Sequence, residues 1–179
     1  MRQSPDRYRQ GRNREVEKDC VAALSDRGLI VRGTVKPEKA HHYGIDSLTG
    51  EIDSLCVDPA RSRIWVIEAK DPYTPYSAPQ IRRHVNDFLA TDKYVDRLLR
   101  KVDDIAASAT SVAAALGAGD PDRSWKVQGL MVTRHLEPAA FAIEPNVAFC
   151  VLDDVADVVD QDNLAGPGMH MGFEPPLES

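Results

Sequence analysis

Ile64, Trp65, Val66 and Ile67 form a run that is apolar on both faces of an extended chain. A surface ribbon alternates apolar and polar positions, so a run without alternation belongs to a strand covered on both sides. Upstream, Ile52 to Val57 is a second strand-like stretch. Between the two lies Asp58-Pro59-Ala60-Arg61-Ser62-Arg63, a polar segment with an early proline. The three pieces make one hairpin. Pairing Asp58 with Arg63 across a four-residue loop fixes its register. That register sets Asp53 opposite Glu68 and Glu51 opposite Lys70. Alternation along a strand then puts all four side chains on one side of the sheet.

Two carboxylates directly across a ladder repel each other. A hard divalent cation, which takes oxygen ligands, cancels that repulsion. Lys70 lies one strand step beyond, within reach of a water or of a phosphate's charge. This is the layout of metal-assisted phosphodiester hydrolysis. The structural alternative is a surface hairpin with an ordinary Glu–Lys pair. The apolar run ending at Glu68 argues against it, because polar groups at the end of an interior strand need a partner.

Asp53, a hairpin-length gap, then Glu68-Ala69-Lys70 resembles the core motif of the PD-(D/E)xK nuclease superfamily, the restriction-endonuclease-like fold. The resemblance implies an α/β fold with an α-β-β-β-α-β core, a mixed central sheet flanked by helices. It implies Mg²⁺, with Mn²⁺ as a substitute, bound by Asp53, Glu68 and the backbone carbonyl of Ala69. Lys70 then holds or deprotonates the attacking water and stabilises the pentacovalent phosphate.

The rest of the chain supplies elements in a similar order. Asn13 is an N-cap candidate and Gly28 a C-terminal stop, around a helix with Val16, Cys20, Val21, Ala23 and Leu24. Leu29 to Val31 reads as a strand, residues 36–47 as a loop, and Pro79 sits near the start of a helix carrying Ile81, Val85, Phe88 and Leu89. Val95, Leu98, Leu99, Val102, Ile105 and Ala109 recur at helical spacing. This stretch, within 92–116, exceeds the minimal core and is expected to be an added helix: a lid, a dimer surface or a partner face. Val127 to Val132 and Val147 to Leu152 read as strands, and a short helix follows to about Val159. The expected organisation is a basic tail over 1–12, a nuclease-like domain over 13–160 and a disordered tail over 161–179, rich in Gly and Pro.

Members of the superfamily often bring a Glu from the first helix to the metal. Glu17 shares a helix face with Cys20, Val21, Leu24 and Gly28, whereas Glu15 lines up with Asp19, Ala22 and Asp26. Glu17 is therefore the candidate for a second metal or its water; the alternative is a boundary residue bonded to a lysine. The pattern from Glu17 through Cys20 and Leu24 to Gly28 also resembles the first helix of archaeal Holliday-junction resolvases. Several branches place a Gln at the start of the helix after the motif, which makes Gln80 a candidate at a phosphate-favouring helix N-terminus. His84 and Arg83 lie one turn on, and the alternative for all three is a polar turn facing solvent. Glu51 either anchors Lys70 or caps the strand end.

Other chemistries find no support. His41 and His42 are adjacent in a loop, and no second His group has zinc-site spacing. Neither a phosphate-cradling glycine loop nor a serine elbow is present. Cys20, Cys56 and Cys150 are odd in number and sit in apolar surroundings, as reduced buried thiols do. With no signal-like start and no membrane-length apolar run, a cytoplasmic protein without membrane attachment is expected.

The net charge of −6 hides an asymmetry. Nine of the 28 acids lie after Arg134, where there is no Lys or Arg, so residues 1–136 hold 22 bases against 19 acids. Arg2, Arg7, Arg9, Arg12 and Arg14 cluster at the start, placed either to meet phosphates or as a solvated tail. The expected activity is metal-dependent hydrolysis of phosphodiester bonds, with DNA the favoured partner. A homodimer or larger complex suits cutting both strands. The alternative is an inactive module of the same fold that binds nucleic acid or a partner protein in a defence or mobile-element system.

Overall fold

The computed structural model describes residues 5–120, 122–142, 147–161 and 168–170. The chain is α/β. Six strands form one sheet in the order of the sequence: β1 (Ile30–Val35), β2 (Ile52–Asp58), β3 (Arg63–Lys70), β4 (Lys126–Thr133), β5 (Ala148–Val151) and β6 (Gly168–His170). The first three are antiparallel neighbours, and the remainder run parallel to β3.

The hairpin register follows the sequence expectation. Asp58 pairs with Arg63, and the pairing continues through Val57–Ile64, Cys56–Trp65 and Leu55–Val66 to Ser54–Ile67. The next pair in this register is Asp53 with Glu68. There the backbone ladder ends, and the Asp53 carboxylate instead accepts the Ala69 N–H at 2.9 Å.

Helices cover both faces. On one, α1 (Pro5–Asp26) presents Val16, Cys20 and Leu24, and α5 (Val155–Asp160) presents Val155, Val158 and Val159. They pack on Cys56, Trp65, Ile67, Leu130 and Val132. On the other face lie α2 (Ala78–Leu89), α3 (Tyr94–Ala107) and α4 (Ala109–Ala115), over Leu55, Val57, Ile64, Val66 and Met131. Both faces of β3 are thus covered, as its unbroken apolar run requires. Cys20, Cys56 and Cys150 are buried and free in the first core, and burial among apolar neighbours pushes the Cys20 thiol up to about 12.

Four expectations need correction. The first helix begins at Pro5, so the segment assigned to a tail is helical from that point; residues 1–4, including Arg2, lie outside the described residues. Asn13 is therefore no N-cap. Its side-chain carbonyl accepts the Asp71 N–H at 2.9 Å, and neighbouring Arg12 grips the Asp71 carboxylate with Nε at 2.8 Å and Nη2 at 2.5 Å. These bonds tie α1 to the end of β3. The expected stop at Gly28 stands: its φ of 77° is left-handed, which costs a glycine little.

The third correction concerns residues 92–116. They form two helices, broken at Ser108, and α3 is a core layer of the fold. Leu98 and Val102 press so closely on β4 that a Cβ on Gly129 would lie 3.1 Å from Val102 and 3.3 Å from Leu98. The crossover from β3 to β4 runs through α2, α3 and α4, and α3 is the helix that lies on β3 and β4. Finally, Gly168–His170 pairs with β5 as a strand, inside the stretch expected to be disordered. Residues 162–167 and 171–179 of that stretch lie outside the described residues.

Candidate functional site

The C-terminal end of β3 and the start of β2 meet at one rim of the sheet. Asp53, Glu68 and Lys70 follow the parity of Leu55 and Val66, the face covered by α3. Asp53 is 7% exposed and Glu68 9%. Their oxygens converge on one cation. The Lys70 ammonium lies 2.6 Å from Glu68 Oε1, 3.2 Å from Asp53 Oδ2 and 3.1 Å from the Ala69 carbonyl oxygen. The Tyr94 ring centroid lies 5.5 Å from the same nitrogen.

These are the three oxygens that the resemblance to PD-(D/E)xK nucleases would assign to a metal ion. Two carboxylates and one carbonyl aimed at a single positive point make a hard, all-oxygen seat, the donor chemistry that suits Mg²⁺. The residues fit such an ion, and here the Lys70 ammonium occupies the point on which they converge. Among the described residues, no group of three or more acid, histidine or cysteine side chains forms a ready-made ion cage. The seat depends on the backbone carbonyl as its third oxygen.

A residue the sequence analysis missed completes the cluster. Lys101 on α3 is 6% exposed and donates to Glu68 Oε2 at 2.5 Å. Glu68 therefore holds one lysine on each carboxylate oxygen. A signal was available in the sequence. Lys101 lies three residues after Leu98 and four before Ile105, on the apolar stripe of α3. A charge on a buried stripe requires a buried partner.

The charges settle unequally. Burial pushes the Asp53 carboxyl up, and Glu68 adds to this; Lys70, the Ala69 N–H and Lys101 only partly offset it. Burial also acts upward on Glu68, yet the charges and hydrogen bonds of Lys70 and Lys101 outweigh it and hold Glu68 below the usual carboxylate range. Burial alone would lower the Lys70 pKa, but Glu68 and Asp53 raise it, so this lysine keeps its proton.

Glu17 lies where the helix-face argument expects. Half-buried, it borders a cleft of about 800 Å³ together with Asn13, Arg14, Glu51, Asp53 and Lys70. Partial burial raises its pKa, and the charges of Asp53, Glu51 and Glu68 push the same way against Lys70. Glu17 therefore senses the cluster across the cleft without joining the three-oxygen seat. Glu15 is exposed. Glu51 borders the cleft ahead of β2, and the Lys70 ion pairs go to Glu68 and Asp53.

The helix after the motif behaves differently. Gln80 turns back on its own loop, where its side-chain carbonyl accepts the Tyr76 N–H at 2.7 Å. Arg83 is exposed. His84 is buried, with Nδ1 3.3 Å from Glu137 Oε2 and its ring edge-on to Tyr73 at 4.6 Å. It borders a smaller pocket that also touches Lys70, Phe88 and Tyr94. The site is thus assembled by β2, β3, α1 and α3, while α2 contributes to its flank. No family model, curated protein or solved structure matches the chain.

Proposed function

We propose that the chain is a metal-dependent phosphodiesterase acting on nucleic acid, with DNA the favoured substrate and a restriction-endonuclease-like core. The observation that carries this reading is the convergence of Glu68 Oε1, Asp53 Oδ2 and the Ala69 carbonyl on the Lys70 ammonium, 2.6–3.2 Å from each. A fold needs no such focus at a solvent-facing rim. Burying four charges costs desolvation that a hydrophobic cluster of the same size avoids.

In this reading Asp53, Glu68 and the Ala69 carbonyl hold Mg²⁺ or Mn²⁺. The bound ion supplies Lewis-acid polarisation of the phosphate and a water of lowered pKa. Lys70, which the two carboxylates keep protonated, gives up its seat and stabilises the charge that builds on the phosphate oxygens. Glu17 faces the same cleft and orients the attacking water. The cleft opens between α1 and the β1–β2 edge of the sheet, where Arg14, Lys18 and Lys36 line its walls and would meet the phosphate backbone. Gln80 Oε1 is held by the Tyr76 N–H, which leaves its side-chain NH2 as the group that would meet a phosphate.

The test is cleavage of plasmid and linear DNA with Mg²⁺ or Mn²⁺ by wild type, Asp53→Ala and Lys70→Ala. Loss of cleavage in both variants is expected. Equal cleavage by all three places any activity elsewhere.

A second reading has one specific observation in its favour. Asp53 and Glu68 are matched in number by Lys70 and Lys101, so the buried cluster balances its own charge. A catalytically inactive module of the same fold, binding nucleic acid or a partner protein, has this self-contained arrangement. Calorimetric titration with Mn²⁺, alone and with a non-cleavable oligonucleotide, separates the two: heat that depends on Asp53 and Glu68 supports the enzyme, and none in either titration supports the inactive module.

A further inference from the structure

The proposed reaction makes no use of Lys101, yet this lysine is more deeply buried than either carboxylate of the seat. Resting on the phosphodiesterase reading, we infer that Lys101 is a built-in competitor for Glu68. It keeps the seat's affinity for a divalent ion low until a phosphate of the substrate enters.

Lys101 and Lys70 sit on opposite oxygens of one carboxylate, at 2.5 Å and 2.6 Å. An ion taking the Lys70 seat must share Glu68 with a fixed ammonium. Lys70 can swing toward the cleft, which it borders. Lys101 has no such route, because α3 packs Leu98 and Ile105, the stripe on either side of it, into the core. Its charge therefore stays beside the seat whatever occupies it. At the effective dielectric of such sites, a monocation and a dication sharing one carboxylate repel substantially. The anion that relieves this repulsion is the phosphodiester itself, brought into the cleft lined by Arg14, Lys18 and Lys36. Metal loading and substrate binding become coupled, and the coupling is reciprocal.

A different role for Lys101 predicts the opposite result. If it only orients Glu68, as outer-shell partners of metal ligands commonly do, its removal weakens ion binding. If it competes, removing its charge tightens binding. Lys101→Gln separates the two, because an amide can still donate to Oε2 but carries no charge. Lys101→Met removes both.

The experiment is calorimetric titration of Mn²⁺ into wild type, Lys101→Gln, Lys101→Met and Asp53→Asn, with folding checked by circular dichroism. Wild type and Asp53→Asn are titrated again with a short phosphorothioate oligonucleotide that resists cleavage. Mn²⁺ binding roughly ten-fold tighter or more in Lys101→Gln is expected, on the scale of outer-shell effects on metal sites. Wild type should gain a similar factor from the oligonucleotide, and this comparison needs no substitution at Lys101. Unchanged or weaker binding in Lys101→Gln and Lys101→Met, or no gain by wild type with the oligonucleotide, overturns the inference while leaving the metal seat intact. Heat that is absent from every protein, or identical in Asp53→Asn, instead overturns the phosphodiesterase reading and the inference with it.

Discussion

The two ends of the β2–β3 hairpin bury the same kinds of charge to different ends. At the turn, Asp58 is 2% exposed. Its carboxylate accepts the backbone N–H of Arg61 at 3.2 Å and the guanidinium of the same residue at 3.1 Å. Arg63 donates to the Gln161 carbonyl at 2.7 Å. Asp58 thus finds partners three residues away, in the turn it helps to form. At the rim, Asp53 and Glu68 come from adjoining strands, Lys101 from α3, and Glu17 faces them from α1. Nothing in local chain geometry demands this gathering. The buried acid of the turn is closed within its own hairpin, whose arginines also reach Asp160 and Gln161 at the end of α5. The rim's charges are instead assembled from several elements at the ends of strands.

The contrast breaks most visibly in cleavage. Asp53→Ala is expected to reduce Mg²⁺-dependent cleavage of plasmid DNA by roughly 100-fold or more, the scale of losing a group that stabilises transition-state charge. Asp58→Ala should leave the rate of the folded protein unchanged. Gel assays at matched folded concentration measure both, and similar losses at the two ends would erase the distinction.

Stability comes next. Glu68→Ala leaves two buried ammonium groups short of a partner, and urea unfolding should register about 3–5 kcal/mol. Asp58→Ala removes an acid whose partner Arg61 is one-third exposed and can turn to water, so about 1–3 kcal/mol is expected. A larger loss at Asp58 would reverse the comparison.

The two rim carboxylates should also respond oppositely to neutral isosteres. Asp53 has a raised pKa in the folded protein, so folding favours its protonated form. Its contribution to stability is present below the ordinary carboxylate range and is lost as pH rises through the raised value. Asp53→Asn should therefore raise the melting temperature at neutral pH, with the gain fading as pH falls and Asp53 takes up its own proton. Glu68 has a lowered pKa, so its contribution is present above the ordinary range and lost as pH falls through the lowered value. Glu68→Gln should lower the melting temperature at neutral pH. Thermal melts across the acid range measure both, and shifts of the same sign at pH 7 would contradict the assigned charges.

The smallest effect is expected at Gln80. Its carbonyl oxygen holds one bond to an exposed loop, so Gln80→Ala should cost about 0.5–1.5 kcal/mol at most and lower cleavage far less than Asp53→Ala does. A loss as large as that of Asp53→Ala would return α2 to the site.

The hairpin was the most legible part of the sequence, because one pairing, Asp58 with Arg63, fixes every later partner along two strands. The place of Glu17 beside the cleft was legible because helix periodicity separates it from Glu15, once the resemblance had pointed to a Glu on the first helix. What the sequence hid was hidden for identifiable reasons. Lys101 belongs to an element far along the chain, and only packing of α3 on the sheet brings it to Glu68. Asn13 has the side chain of a helix cap, but the bonds from Arg12 and Asn13 to Asp71 are tertiary, so the helix runs past it. Gln80 stands at a helix start, as the resemblance asks, and its carbonyl oxygen accepts from its own loop, a bond that the sequence does not announce. Gly168–His170 gains its strand from pairing with β5, which a Gly- and Pro-rich composition does not reveal.

The central claim is that the three oxygens around the Lys70 ammonium form a seat for a divalent ion. Crystals grown or soaked with Mn²⁺ and a non-cleavable oligonucleotide test it most directly, through anomalous scattering at the manganese edge. The expected result is a peak bounded by Asp53, Glu68 and the Ala69 carbonyl, with the Lys70 ammonium displaced toward the cleft. A Lys70 ammonium still bound to all three oxygens, with manganese elsewhere or nowhere in the protein, would contradict it.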